Sequence, residues 1–463
     1  MDFRSLTARF GGELLTPHSA GYEAARRLWN GMIDRKPAAI ARCRRPEDIV
    51  EAIRFAADRD LYPAVRAGGH NVAGTAMVDG GLVIDVSPMK EIAVDGKAQT
   101  AQAQTGLTWG EFDQSTSSQG LATTGGVVST TGIAGLTLGG GIGWLMGRCG
   151  LVCDNTFAYD VATADGEMVR ASADEHPDLF WALKGGGGNF GVVTSITYRL
   201  YPITTVVSGM LLFPLAQGRQ VLRHYRDFVS SGLPDELIVY AAALCAPDGT
   251  RCLGLFPAYC GEDPSQAGTW IDSLKRFGTV LADFTKAMPY VAMQQMLDAG
   301  APYGIRSYWK SNFLESFPDE AIEVFIDCAE RCPSPHTLAL LEHAHGAAVR
   351  VSPDSTAFPT RKEGLDLVIF SLWPQAQDDR ANIEWTQSFY RLMQPWSAGS
   401  VYVNGLSEDD SGRVREAFGD NFERLREIKA KYDPGNRFQR NQNIPPRIVR
   451  HSTRAETGHA AEA

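Results

Sequence analysis

Long apolar runs are missing from this sequence, and so are long basic ones. The N-terminal stretch MDFRSLTARFGGELLTP holds no apolar segment of signal-peptide or membrane-helix length. The formal net charge is −10 with no clustered lysines or arginines, which argues against a nucleic-acid partner. Cysteine never occurs as CxxC. The eight residues, at 43, 149, 153, 245, 252, 260, 328 and 332, suit neither a zinc site nor a secreted disulfide framework. Cys328 and Cys332 can share a helix face and read as free thiols in a reducing cytoplasm. GxxxxGK[ST] is absent too, which argues against a P-loop. What remains is an ordinary soluble composition over 463 residues, enough for one large or two ordinary domains, with no internal repeat.

Glycine, by contrast, is abundant and unevenly placed. The chain opens as β-α-β. PEDIVEAIRFAADRD (46–60) has helical spacing, LYPAVRAGG (61–69) reads as a short strand entering a turn, and GLVIDVSPM (81–89) as a buried strand. A strand and then a helix opening near Thr108 follow. The tract 124–143, TGGVVSTTGIAGLTLGGGIG, is unlike ordinary secondary structure. Glycine at that density costs entropy and adds little core, so it implies close backbone approach to a ligand, phosphate oxygens above all. A second glycine run, KGGGGNF, leads into the alternating strand GVVTSITYRLYP. From about 203 to 400 the glycine bursts stop, and strands (DELIVYAAAL, LDLVIFSLW) alternate with helices (QAGTWIDSLKRFG, DEAIEVFIDCAERC). An amphipathic helix ended by Asp-Pro-Gly and a polar QRNQNIPP segment close the fold. The boundaries expected are 1–205 and 405–450 for a two-part first domain, 206–404 for a second α+β domain, and a disordered tail at 451–463.

Taken singly, the motifs are weak. GGGIGW (139–144) can be forced onto GxGxxG, but the dinucleotide fingerprint needs a strand before, a helix after and an acidic residue about twenty positions on. Glu342, His343 and His345 in EHAH raise a metal-dependent hydrolase as a second class, but no third ligand type is evident and no metal is expected.

Taken in order, they are specific. RAGGH, the glycine-threonine tract ending GGGIGW, Asp154-Asn155, DLFWALKGGGGNFGVVT and YDPGNRFQRNQNIPP together resemble the berberine-bridge-enzyme-like branch of the vanillyl-alcohol-oxidase-type flavoproteins. The likeness runs from about 35 to 446 and extends to the 6-hydroxy-D-nicotine and enterocin-favorskiiase-type oxidases of that branch. It implies an α+β fold: a two-part PCMH-type FAD-binding domain plus a substrate domain with an antiparallel sheet. It implies FAD bonded covalently through His70, since a neutral imidazole is a good nucleophile toward the flavin 8α-methyl group.

The same resemblance assigns flavin contacts to Arg66, Ala67, Gly68, Gly69 and Asn71 around that histidine. In the long tract it assigns Thr124, Gly125, Gly126, Val127, Thr130, Thr131, Gly132, Gly135, Leu138, Gly141 and Trp144, and just beyond it Asp154 and Asn155. In the second run it assigns Gly187, Asn189, Gly191, Val192 and Val193, and near the C-terminus Tyr402, Asn404, Asn441 and Asn443. Where relatives carry a second, cysteine tether, this chain has Val128, so a single attachment is expected, with a small or partly enclosed substrate favoured.

The cofactor carries the redox work, leaving the protein to supply a base. The family's YxNY tyrosine is replaced: YVNG puts Gly405 there, which also keeps open a flavin-binding protein without oxidase turnover. Glu342, Tyr308, Lys310 and His345 are the replacement candidates. Glu342 leads, because a carboxylate in an aromatic cleft has a raised pKa; its alternative is an ion pair with Arg306 or Arg350. Tyr308 and Lys310, on one strand face, orient substrate or form a packed aromatic–cation pair. Tyr290, Tyr303, Trp309 and Trp373 suggest a flat or apolar substrate. The reading is a cytoplasmic FAD-linked oxidase acting on an alcohol, amine or natural-product intermediate with O2, as monomer or homodimer, without nucleic-acid or membrane partners.

Overall fold

The computed structural model describes residues 2–447; the tail expected at 451–463 lies outside them. Three sheets carry the chain. The first joins β1 (Glu13–Leu15), β2 (Ala39–Arg42), β3 (Ala64–Arg66) and β4 (Leu82–Asp85) in the order β1-β2-β4-β3. β2 and β3 both run parallel to β4, as the β-α-β reading requires. The connecting helix Pro46–Ala57 starts on a proline with Glu47 and Asp48 in its first turn, and buries Ile49, Ile53, Phe55 and Ala56 against the sheet.

The second sheet is antiparallel, ordered β5-β6-β9-β7-β8 from Ile92–Asp95, Thr100–Gln104, Thr156–Ala162 (β7), Met168–Ser172 (β8) and Val192–Arg199 (β9). The helix Trp109–Ser117 opens at Thr108 with a capping box to Glu111. Its core is shared across the chain: Phe112, Tyr159, Leu179 and Ile196 pack with Val401, Leu406, Phe418, Phe422, Leu425 and Ile444. The C-terminal segment is thus part of the first half's interior.

The third sheet is antiparallel and nine-stranded. Its strands are β10 (Thr205–Ser208), β11 (Leu211–Pro214), β12 (Leu237–Cys245), β13 (Arg251–Tyr259), β14 (Ala282–Asp283), β15 (Lys286–Pro289), β16 (Arg306–Leu314), β17 (Leu338–Ala344) and β18 (Gly364–Trp373). The main path is β14-β11-β13-β12-β17-β18-β16, with β10 bridging β13 and β15. One face packs under the helices Gly218–Val229, Asp319–Glu330 and Asp379–Met393 through Leu341, Leu365, Leu367 and Ile369. The other turns toward the glycine loops through Tyr240, Phe256, Leu340 and Phe313, with Trp144 and Tyr402 beside them.

One local expectation changes: the tract 124–143 contains a short helix, Ile133–Leu138, between its glycines. Residues 403–405 form a 3-10 turn. All eight cysteines are free thiols, and no helix among the described residues is long and apolar enough to cross a membrane.

Candidate active site

A cavity of about 1940 Å³ lies between the glycine loops and the inner face of the third sheet. Its size is well above that of an ordinary small-ligand pocket. Glycine shapes the first wall. A Cβ on Gly68 would stand 2.5 Å from the Gly132 nitrogen, and one on Gly132 would stand 2.7 Å from the Gly68 nitrogen, so the two loops meet backbone to backbone. Gly135 and Gly188 are different: a Cβ there meets nothing within 4 Å and would enter the cavity. A cradle of bare backbone, with Gly69 and Gly187 in the left-handed region, is suited to a large anionic ligand with a pyrophosphate.

His70 sits on that wall. Its ring stacks on Trp29 at 5.0 Å, and its Nε2 is 2.9 Å from the Thr130 hydroxyl. Burial pushes its pKa down to about 4, so the imidazole is neutral near pH 7, the form that can act as a nucleophile. Trp29 is itself fixed, its ring N–H donating to Ala301 O at 3.0 Å.

Of the other expected flavin residues, Ala67, Gly68, Gly69, Asn71, Gly126, Val127, Thr131, Gly132, Gly135, Leu138, Gly187, Gly191, Val192, Val193, Tyr402, Asn404 and Asn441 line the cavity. The Tyr402 hydroxyl accepts from Gly141 N (3.2 Å) and Asn404 Nδ2 (2.8 Å), which ties the C-terminal turn to the glycine tract.

The remainder stand behind the wall. The Arg66 guanidinium bonds Ala25 O, and the Thr124 hydroxyl donates to Gly150 O. Gly125 packs on Trp109, Gly141 (φ +84°) on Val152, and Trp144 stacks on Tyr240 at 4.8 Å. Asp154 is held by Arg361 at 2.8 Å, and Asn155 donates to Cys149 O and Leu151 O. Asn189 donates to Gly186 O and Gln442 O, bracing the second glycine run. Asn443 does not line the cavity, and its Oδ1 is buried without a partner. These residues do not line the cavity; their bonds brace the loops that do.

Among the candidate bases, alternation along the strands separates one from three. Leu338, Leu340 and Glu342 of β17 line the cavity, whereas His343 points away and pairs loosely with Glu363 at 3.6 Å. His345 stacks on His343 at 4.7 Å and donates to Leu237 O at 2.9 Å. Glu342 and the two histidines therefore diverge, and the described residues include no group of three side chains placed for a metal. On β16 the cavity takes Trp309. Lys310 instead pairs with Asp409 (2.9 Å) and Asp410 (2.7 Å), and the Tyr308 hydroxyl donates to Asp409 at 2.6 Å. Lys310 lies 5.1 Å over the Tyr308 ring, the aromatic–cation alternative.

Of the suggested aromatics only Trp309 faces the cavity. The Tyr290 hydroxyl donates to Thr123 O, Tyr303 to Arg27 O, and Trp373 Nε1 to Asp379. Gly405 lines the cavity beside Ser311 of β16, whose side chain a Cβ at that position would approach to 3.0 Å.

Glu342 forms neither expected ion pair, because Arg306 holds Asp379 and Arg350 holds Asp235. Its facing residue on β18 is Asp366. Burial, and then the Asp366 charge, pushes Glu342 well above its ordinary 4.5; burial lifts Asp366 from 3.8 to about 7. Sequence reasoning missed Asp366, although a lone aspartate inside GLDLVIFSLW was a signal. Both its oxygens are buried without partners. Two carboxyls opposite one another in an apolar setting oppose each other's ionisation, and their pKa values belong to the pair.

Comparison with known proteins agrees with this geometry. The family model described as "FAD binding domain" matches residues 37–172, and "Berberine and berberine like" matches 401–445. An FAD-linked oxidoreductase of Dictyostelium discoideum is 32% identical, over 90% of this chain and 91% of its own. The (R)-6-hydroxynicotine oxidase of Paenarthrobacter nicotinovorans is 28% identical, over 94% of this chain and 97% of its own. The crystal structure of 6-hydroxy-D-nicotine oxidase from Arthrobacter nicotinovorans superposes with a TM-score of 0.85 at 25% identity, covering 95% of this chain and 98% of that one.

Proposed function

Because the chain belongs to the berberine-bridge-enzyme-like FAD-linked oxidoreductases, we propose that it oxidises a small or medium organic molecule on FAD tethered to His70 alone, with Glu342 as the base. The observation that carries this reading is one cavity lined by His70 and the bare glycine backbone on one side and by Glu342 on the other.

Bound FAD supplies a two-electron acceptor that O2 regenerates, giving hydrogen peroxide. The glycine loops bind the pyrophosphate through backbone N–H groups, and neutral His70 holds the ring. Val128 lines the cavity where a second tether would stand; Cys149 and Cys153 do not line it, and burial raises both thiols, Cys153 to about 12. Glu342 takes the proton from the substrate's O–H or N–H as the neighbouring C–H is oxidised. Its raised pKa makes the ionised carboxylate a stronger proton acceptor than an ordinary glutamate. Eight free thiols favour a reducing, cytoplasmic setting.

The test is acid denaturation of the purified protein, comparing wild type with His70→Ala. Yellow colour that pellets with wild-type polypeptide but washes out of the variant supports the tether. Free flavin from wild type would remove the covalent link, and folded protein without flavin would overturn the whole reading.

A further inference from the structure

The sheet side of the cavity shows what accompanies the flavin. From the Glu342–Asp366 pair, the facing residues along β17 and β18 are Leu340–Val368 and then Leu338–Phe370. At the spacing of a strand this apolar floor runs about 13 Å away from the carboxylate. Met210, Phe256, Met288, Met296 and Leu297 also line the cavity. These side chains carry no hydroxyl, amide or guanidinium group; of the polar groups that also line the inner cavity, the Thr337 hydroxyl is bonded to Leu372 and the Tyr402 hydroxyl to Gly141 N and Asn404 Nδ2. Charged residues return only at the exposed rim, with Asp248, Asp283, Lys286 and His336. Leu281 and Phe284 are also exposed there, at 51% and 55%.

Resting on the reading of Glu342 as base, we propose that the substrate is an elongated, largely apolar molecule of several fused rings with one acidic O–H group, and not a carbohydrate. A sugar in this trough would leave most of its hydroxyls without partners, and each unmade hydrogen bond in a dry site counts against binding. A flat hydrocarbon skeleton instead loses water from both faces against Leu338, Leu340, Met288 and Met296. Its one polar end is then directed to Glu342, because no other carboxylate lines the inner part of the cavity. The thioether side chains of Met210, Met288 and Met296 in the lining adapt to ring systems of differing shape.

The test is calorimetric titration of the flavin-loaded protein with phenol, 2-naphthol, 2-phenanthrol and cellobiose. Affinity should climb about tenfold with each added ring, as buried apolar area grows, and cellobiose should give no detectable heat. An affinity that stays flat across the aryl series, or tighter binding of cellobiose, overturns the proposal. Met296→Gln, nearly isosteric and half-buried, should weaken 2-phenanthrol several-fold and leave phenol unchanged; equal effects on both would count against an extended apolar trough. The underlying reading fails differently. Glu342→Gln turning over as fast as wild type would strike at the chemistry even where the aryl series climbs as expected.

Discussion

At the scale of single residues, the site divides into what type and spacing reveal and what only a neighbour reveals. His70 was legible because two glycines isolate it in RAGGH. Glu342 stood out as a carboxylate beside aromatic segments, and strand alternation then carries it to the cavity side and His343 away. Lys310 and Tyr308 were misleading for a physical reason: alternation puts them on one face but does not say which, and their partners Asp409 and Asp410 lie about a hundred residues on. Asp366 was missed because its meaning comes from a cross-strand pairing that the sequence does not display. If Glu342 is the base, Glu342→Gln should lower kcat about 10²- to 10⁴-fold with flavin content unchanged, measured by O2 consumption. Glu342 acts deprotonated, so the rate should rise with pH through its raised pKa. Asp366→Asn removes the neighbouring negative charge that opposes ionisation. The rising limb should then move to lower pH by roughly one unit. A limb that stays put in a pH–rate profile would separate Asp366 from the chemistry.

Elements hold the site through contacts that composition hides. The helix Phe422–Tyr432 carries Lys429, which is fully buried and donates to Asp433 (2.6 Å), to Asn189 O (2.6 Å) and to Phe438 O (3.2 Å). One ammonium thus fixes the second glycine run against the C-terminal turn. Lys429→Met leaves a buried carboxylate alone and should cost about 3–5 kcal/mol in urea denaturation, with reduced flavin occupancy. Adding Asp433→Leu should return part of that loss, and no recovery in the double variant would refute the pairing argument. A second clamp joins the helix Trp109–Ser117 to the helix Tyr290–Gln294 in the other half. Gln294 Nε2 donates to Asp113 at 3.1 Å and to Gly126 O at 3.0 Å. Burial raises Asp113 from 3.8 to about 8, so the folded state holds a proton that the unfolded chain releases near pH 4. Rising pH therefore favours the unfolded chain between about 4 and 8. Wild type should lose several degrees of Tm between pH 5 and 8.5 relative to Asp113→Asn; parallel melting curves for the two would exclude this titration.

Over the whole molecule, the order of motifs was readable but the distribution of the core was not. The change of character near residue 203 coincides with the start of the third sheet at Thr205, because the glycine loops that line the cavity belong to the first half alone. What no window of sequence displays is that Val401, Leu406, Phe418, Phe422, Leu425 and Ile444 fill the interior beneath the second sheet. Leu425 is fully buried, and a Cβ on Gly186 would come to 2.8 Å from its Cδ2, so the helix seats directly on the second glycine run. The third sheet has its own core, drawn from 207 to 393, under its helices. Deleting everything after residue 400 should therefore act unevenly. It leaves the matched segment 37–172 intact in sequence, yet removes nine core side chains, Val403, Ala417 and Ile428 among them, with the Tyr402–Asn404 tie and the Lys429–Asp433 pair. Losing even one such large side chain costs about 2–5 kcal/mol, against a total stability of about 5–15 kcal/mol for an ordinary protein. The truncated chain should fail to retain flavin and should lose near-ultraviolet dichroism from Trp109 and Tyr198, whose aromatic cluster lies in that core. Flavin retained by the 1–400 chain would show that the first half folds without its C-terminal return, and that the shared core contributes little to holding the site.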